Sequence, residues 1–211
     1  MWATPGTASL TAAQRRIARW YLVNGVICHI VMDGLVGVWK LNPLFAAQYA
    51  RIDKRFAMPV GEYDAGAVHT AMGIELYVKG PLAIYLYYCY HAGRPERDVV
   101  EVVTGVTQAY GTLVWLLPDV LSRGAKGNFA VDWRLTFSFH HLVYFWFSVV
   151  AAGAVLYVAV PLYLAWGAGS RLRDAVAAAS GAASPASKPA ASGGSLLRAD
   201  TPQRKRAAAR S

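Results

Sequence analysis

Four long apolar stretches restrict the fold of this chain more than any other feature of its sequence. They lie near residues 20–38, 65–90, 99–121 and 142–166. Each is close to or above the roughly 20 residues that a helix needs to cross a bilayer. Inside a bilayer every peptide group must find its hydrogen-bond partner within the protein, which helices achieve and isolated strands do not. The sequence therefore predicts an all-α fold, a bundle of four transmembrane helices.

The sequence predicts three parts: an N-terminal segment (1–15), a transmembrane domain (16–168) and a basic tail (169–211). The tail is rich in Ala, Ser, Gly and Pro, so it cannot bury enough apolar surface to fold, and we expect it to be disordered. A signal peptide is a poor fit, because the N-terminal segment is small and polar and the first apolar stretch contains His29 and Asp33. We expect the first helix to remain in the mature protein.

Basic residues concentrate at the two ends of the chain, which argues against a nucleic acid as partner. Arg15, Arg16 and Arg19 precede the first apolar stretch, and eight Arg or Lys residues follow the last. If both ends share one side of the membrane with the loop of Arg94 and Arg97, that side holds 13 basic residues against 7 in the other loops. This distribution predicts cytoplasmic termini. The basic tail is also expected to attract anionic membrane lipid.

Several chemical classes have no support in the sequence. Cys28 and Cys89 both fall inside apolar stretches and lack a paired spacing, so they are expected to be small buried hydrophobic residues. We find no nucleotide-binding loop, metal-ligand cluster or serine-nucleophile motif, which argues against ATP-driven transport and hydrolysis. The sequence therefore predicts no cofactor and no metal.

Ionisable residues inside the apolar stretches are the main functional candidates, because a charge within a bilayer is costly. His29 and Asp33 are four residues apart and so share one helix face. An imidazole and a carboxylate in this arrangement can share a proton and act as general acid and base in an apolar cavity. The alternative is a single buried hydrogen bond that fixes helix packing.

Other polar residues of the helices allow both functional and structural interpretations. Glu75 and Lys79 repeat the four-residue spacing. They are part of a functional site, or they form an ion pair in which the two charges neutralise each other, or Lys79 extends to the membrane interface. Glu101 and Asp119 lie near the ends of the third helix, where we expect contact with water. Gln108, with the nearby Tyr110, lines a polar pocket or bridges helices.

Aromatic residues are dense in the fourth helix, where Tyr144, Phe145, Trp146 and Phe147 are consecutive and Tyr157 follows. Such rings are either interfacial and packing residues or faces that stabilise a cation in a cavity. Together with the buried acids, they favour acid–base chemistry on a lipid or the binding of an amphipathic cation.

Short motifs in order along the chain resemble those of the emopamil-binding protein family, the sterol Δ8–Δ7 isomerases. Residues 29–34 (His-Ile-Val-Met-Asp-Gly) resemble the family's His-x-x-x-Glu-Gly, with Asp33 in place of Glu. Residues 49–56 (Tyr-Ala-Arg-Ile-Asp-Lys-Arg-Phe) are similar to its Tyr-x-x-x-Asp-x-Arg-aromatic loop, and residues 108–111 (Gln-Ala-Tyr-Gly) to its Gln-x-Tyr-Gly. Gly80-Pro81, residues 141–147 and Pro161 also match, so that the resemblance covers about residues 20–166.

The resemblance implies a four-helix EXPERA-type domain in the endoplasmic-reticulum membrane and a sterol substrate. It implies that protonation of a ring double bond gives a carbocation, and that loss of a neighbouring proton moves the double bond by one carbon. His29, Asp33 and Glu75 would then move protons. The expected pocket residues are Gln108, Tyr110, Tyr144, Trp146 and Tyr157. Lipophilic amines are the expected inhibitors.

The chain departs from the family pattern at several positions. Met72 stands where the family has its helix-two Glu, and Glu75 follows nearly one turn later. Residues 153–154 and 156–157 read Gly-Ala and Leu-Tyr where the family has an Asn and a Trp. Two further functions stay open: a non-catalytic sterol- or amine-binding protein, and a membrane chaperone or trafficking partner. Both a monomer and a homodimer are compatible with the sequence.

Overall fold

The described part of the chain is helical, as the sequence predicted. In the computed structural model, residues 10–121, 129 and 136–183 are described, and these residues form helices and turns without a strand. The chain divides into two compact units, Met1–Ala175 and Val176–Ser211. Of the second unit, the structure describes residues 176–183, which are helical.

Residues 10–121 and 136–183 contain four long helices and one short helix. We number them α1 (Ala12–Val38), α2 (Pro43–Ile52), α3 (66–92), α4 (Arg97–Leu121) and α5 (139–183). Two 3₁₀ turns, Lys54–Ala57 and Tyr63–Ala65, connect α2 to α3. Three of the long helices contain π-helical segments with i→i+5 hydrogen bonds: Asn24–Val38 in α1, Glu75–Lys79 in α3 and Leu142–Ala159 in α5.

Three helices of the described chain are long and apolar enough to cross a membrane. They are Ala12–Val38, Arg97–Leu121 and Phe139–Ser180, so the chain has the character of a membrane protein. The remaining predicted span corresponds to α3, which is a continuous helix of sufficient length. Its charged pair, Glu75 and Lys79, together with His69 and several tyrosines makes α3 less apolar than the other three.

A short turn places α3 and α4 side by side as antiparallel neighbours. Gly93 ends α3 in the left-handed conformation, with φ of 61°. The Arg94 N–H donates to the Cys89 carbonyl at 3.0 Å, which closes the last turn of the helix.

Glycines bring two pairs of helices into close contact. A Cβ atom on Gly25 of α1 would lie 2.9 Å from the carbonyl oxygen of Gly80 in α3. A Cβ on Gly105 of α4 would lie 2.5 Å from the carbonyl oxygen of Pro161 in α5. Because apolar helices gain little from hydrophobic association within lipid, such close backbone packing is a principal source of their attraction.

A buried ionic cluster anchors the segment after α2 to the end of α4. Arg55 Nη2 lies 2.6 Å from Asp53 Oδ2, and Trp115 Nε1 donates to the same oxygen at 2.7 Å. Arg55 Nη2 also donates to the Trp115 carbonyl at 3.2 Å and lies 3.9 Å from Asp119 Oδ2. Asp119 is fully buried, so the expectation that it contacts water was wrong.

A second ionic cluster lies around Glu101, near the start of α4. Glu101 accepts hydrogen bonds from Tyr90 at 2.7 Å and from Tyr21 at 3.3 Å, and Arg171 Nη2 contacts its other oxygen at 2.7 Å. Glu101 is therefore buried with its charge paired, and the expectation that it contacts water was also wrong. The cluster joins α1, α3, α4 and α5 through one carboxylate.

Two predicted boundaries change in the structure. The first helix begins at Ala12, before the apolar stretch, where Thr11 and Gln14 form a capping box. The predicted disorder of the tail is wrong for residues 169–183, which continue α5; its Ala-rich composition favours helix. Residues 184–211 of the predicted tail, most of the 124–137 loop and most of the N-terminal segment lie outside the described residues.

The ionic cluster of Asp53, Arg55 and Trp115 should contribute strongly to stability. Asp53→Ala leaves the Arg55 guanidinium buried without its main partner, which we expect to lower the free energy of unfolding by about 3–5 kcal/mol. Thermal unfolding of the purified protein in detergent measures the change. Lys54→Ala, at an exposed neighbouring position, is the control and should alter unfolding little. Equal stability of the two variants would contradict the role of the cluster.

Candidate functional site

A cavity of about 290 Å³ lies between the helices and receives side chains from all five of them. Its volume is near the lower end of the range for ligand pockets. The wall is mainly apolar, with a group of polar side chains in it: Cys28, His29, Asp33, Tyr49, Glu75, Gln108, Thr112, Ser148 and Tyr157. Such a pocket with a few convergent polar groups is the strongest candidate for a functional site among the described residues.

The π-helical segments carry many of the polar residues of the cavity. His29 and Asp33 lie in the first segment, Glu75 begins the second, and Tyr157 lies in the third. π-helical turns are uncommon in proteins and frequently occur at functional sites.

His29 is held by hydrogen bonds at both ring nitrogens. Nε2 lies 2.7 Å from Gln108 Oε1, and Nδ1 lies 3.2 Å from Asp33 Oδ2. Nε2 also lies 3.2 Å from Asn24 Nδ2, so it either donates to the Gln108 oxygen or accepts from the Asn24 amide, depending on the tautomer of the ring. Nδ1 either donates to an Asp33 carboxylate or accepts from a protonated Asp33. In both cases the hydrogen bond between Nδ1 and Asp33 contains one hydrogen that can move between the two groups.

Two further contacts fix the acidic side chains of the cavity. Tyr49 Oη, from α2, donates to Asp33 Oδ1 at 3.2 Å. Lys79 Nζ donates to Glu75 Oε1 at 3.0 Å, which confirms the ion pair that the spacing suggested. The ligand-type atoms of His29, Asp33 and Glu75 lie within 4.8 Å of one another.

Three such donors close together raise the question of a metal ion. In this structure, however, Glu75 Oε1 accepts a hydrogen bond from the Lys79 ammonium group, and His29 Nδ1 is hydrogen-bonded to Asp33. A dication would have to displace the proton shared by His29 and Asp33, and it would lie near the Lys79 cation. The arrangement fits proton transfer better than coordination of a metal.

Aromatic rings form much of the remaining wall. Tyr49 and Phe56 line the cavity beside each other, with ring centroids 5.0 Å apart. Trp115 lines it from α4, and Tyr157 Oη donates to Cys28 Sγ at 2.8 Å. Phe147 lines the cavity and is also 64% exposed, so the cavity reaches the outer surface of α5. Ring faces of this kind stabilise a cation held among them.

The structure brings together five of the eight predicted site residues. They are His29, Asp33, Glu75, Gln108 and Tyr157, which all line the cavity. The expectation that His29, Asp33 and Glu75 face one cavity therefore agrees with the structure.

The other three predicted residues lie outside the cavity, and their assignment to it was wrong. Tyr110 is 70% exposed, since α4 presents Gln108, Gly111 and Trp115 to the cavity and turns Tyr110 away. Trp146 stacks on Phe137 and donates to the Thr136 carbonyl at 3.0 Å. Tyr144 accepts a hydrogen bond from Arg51 at 3.3 Å.

Sequence reasoning missed several residues of the site. Asn24 is buried beside His29, with its Nδ2 atom 3.2 Å from His29 Nε2. As a lone amide in an apolar stretch, it could have been found. Trp115 follows Gln108 by seven residues, the spacing of a shared helix face, so periodicity would have indicated it. Phe147 stands in a run of aromatics, and no pattern there distinguishes the ring that faces the cavity.

Comparison with known proteins gives no independent guide to function. No family model matches the chain, and no curated protein matches it.

The two cysteines allow a direct test of the cavity. Cys28 lines it and is partly exposed, whereas Cys89 is fully buried among core residues. We expect an uncharged lipophilic maleimide to label Cys28 selectively in the folded protein, as measured by mass spectrometry. Cys28→Ala should abolish the labelling and Cys89→Ala should preserve it. Preferential labelling of Cys89 would contradict the arrangement.

Proposed function

We propose that the chain is a membrane-embedded sterol Δ8–Δ7 isomerase. The observation that carries the proposal is the 3.2 Å contact between His29 Nδ1 and Asp33 Oδ2 in a cavity that also contains Glu75. The reaction requires a proton donor on the substrate double bond, a nearby proton acceptor and an environment that tolerates a carbocation. These three requirements correspond to the His29–Asp33 pair, Glu75 and the aromatic wall.

The proposed reaction has two proton transfers on the substrate and one that restores the site. The His29–Asp33 pair donates a proton to one carbon of the ring double bond, whose π electrons form the new C–H bond and leave a cation on the other carbon. Glu75 then removes a proton from a neighbouring carbon, and the electrons of that C–H bond form the new double bond. Before the next turnover Glu75 returns its proton to the His29–Asp33 pair, since the ligand-type atoms of the three residues lie within 4.8 Å of one another. In a site of low dielectric constant, carboxylates and ring faces stabilise the cation strongly.

A non-catalytic sterol- or amine-binding protein is the second candidate, and one observation favours it. Lys79 neutralises Glu75 in the resting structure, whereas a proton acceptor for the carbocation would ordinarily be free of such a cation. The cavity and its acids would still bind a lipophilic ammonium compound in this case.

The proposed setting is the endoplasmic-reticulum membrane. In this proposal α3 crosses the bilayer together with α1, α4 and α5, as in an EXPERA-type four-helix domain, and both termini are cytoplasmic. The partners are a sterol substrate, membrane lipid and, as inhibitors, lipophilic amines. A homodimer is compatible with the proposal.

Isomerase activity can be tested in cells and with purified protein. We expect the chain to complement a yeast strain deficient in sterol isomerase, measured as loss of accumulated Δ8-sterol. His29→Ala and Asp33→Asn should each lower the rate by about 10²–10⁴-fold, the usual contribution of a general acid or base. Tyr110→Phe, at an exposed position outside the cavity, is the control. No Δ7-sterol formation by the folded wild-type protein would refute the isomerase proposal.

The cavity should also bind lipophilic amines, because a protonated amine mimics the transient carbocation and transition-state mimics bind tightly. Asp33→Asn should weaken radioligand binding by about 2–5 kcal/mol, at least about 30-fold in Kd, since it removes a buried counter-charge. Tyr110→Phe should leave the affinity unchanged. Wild-type affinity in the double variant Asp33→Asn/Glu75→Gln would contradict both the isomerase and the amine-binding proposals.

A further inference from the structure

Lys79 is the one buried lysine among the described residues, and its position beside the cavity needs an explanation. The side chain is 3% exposed, and its Nζ atom contacts Glu75 Oε1 at 3.0 Å. A lysine with no function in the bilayer would be costly, since burial of an ammonium is unfavourable unless its charge is paired.

The backbone of α4 leaves space for this ammonium group. A Cβ atom on Gly111 would lie 2.7 Å from Lys79 Nζ and 3.3 Å from Glu75 Oε1. Any larger residue at position 111 would displace the ion pair. Gly111 therefore leaves room for the lysine beside Glu75. Glu75 and Gly111 line the cavity, whereas Lys79 is not part of its wall.

The titratable groups that line the cavity come from four helices. They are Cys28, His29 and Asp33 of α1, Tyr49 of α2, Glu75 of α3 and Tyr157 of α5; among the described residues, α4 contributes no titratable side chain to the cavity wall. Two of these groups are carboxyls less than 4.8 Å from each other. Two carboxylates this close in an apolar cavity cannot both be ionised without compensating cations.

Counting charges shows what Lys79 does. In the proposed mechanism the His29–Asp33 pair carries one transferable proton and is then neutral overall, and Lys79 makes the Glu75 pair neutral as well. After the first pair gives its proton to a substrate, the cluster carries one net negative charge opposite one carbocation. Without Lys79, the group of His29, Asp33 and Glu75 needs one more proton to be neutral. Glu75 is the carboxylate that loses its compensating cation.

We propose that Lys79 is a positioning residue that keeps Glu75 ionised as the proton acceptor, and thereby separates the acid from the base within one cavity. The inference rests on the proposed isomerase function. A carboxylate next to a second carboxyl group needs a neighbouring cation to stay ionised. The Glu75–Lys79 ion pair is therefore compatible with Glu75 as the proton acceptor.

The test replaces Lys79 by methionine, which has similar length and no charge. Activity requires the carboxylate form of Glu75, so it falls as the pH drops and this group becomes protonated. Without the Lys79 ammonium group, Glu75 is expected to become protonated at a higher pH. We therefore expect the acidic limb of the rate profile to move upward by about 1–3 pH units in Lys79→Met. Lys54→Met, at an exposed position, should retain the wild-type profile.

Infrared spectroscopy gives a readout that does not depend on turnover. Lys79→Met should show an additional C=O stretching band of a protonated carboxyl group near neutral pH, and this band should be absent from Glu75→Gln/Lys79→Met. Glu75→Gln alone should remove no protonated-carboxyl band from the wild-type spectrum. This last comparison keeps the test valid even if Lys79→Met does not fold.

The outcomes separate the inference from the function on which it rests. Absence of turnover by the folded wild-type protein refutes the isomerase proposal, while the infrared comparison still decides the state of Glu75. A wild-type pH profile in active Lys79→Met overturns the inference. Loss of a protonated-carboxyl band in Glu75→Gln overturns it as well, because Glu75 would then be protonated despite Lys79.

Discussion

The pairing of buried charges is the constraint on which the rest of this structure depends. A bilayer-embedded bundle has no water inside it to solvate an acid, so each ionised group must find a partner in the protein. His29 with Asp33, and Glu75 with Lys79, satisfy this requirement at i,i+4 spacing within single helices. Local pairing of this kind leaves the cavity between the helices free for a ligand.

Two further ionic clusters connect segments that are distant in sequence. One joins Asp53 and Arg55 to Trp115, and the other joins Glu101 to Arg171. Trp115 belongs to both the first cluster and the cavity wall, because its Nε1–H binds Asp53 while the residue lines the pocket. The charges that stabilise the fold therefore also set the shape of the site.

Sequence alone predicted the helical fold and much of the site, because both depend on local spacing. The pairs His29–Asp33 and Glu75–Lys79 follow from helix periodicity, which needs no knowledge of tertiary structure. Tyr110, Tyr144 and Trp146 were misplaced because chemical type does not reveal the direction in which a side chain points. The burial of Glu101 also depended on a distant partner, Arg171, which only the packing of α4 against α5 provides.

The lower hydropathy of α3 has a consequence for biogenesis. Each charge entering a bilayer alone costs about 2.5–3.5 kcal/mol on insertion scales. Glu75 and Lys79 contact each other about one turn apart in the same helix. In the proposed four-helix arrangement they can therefore enter the membrane as a neutral unit before any other helix is present. Separating them by a single inserted residue would expose two isolated charges to the translocation machinery, and the defect would arise during synthesis, before the bundle had formed.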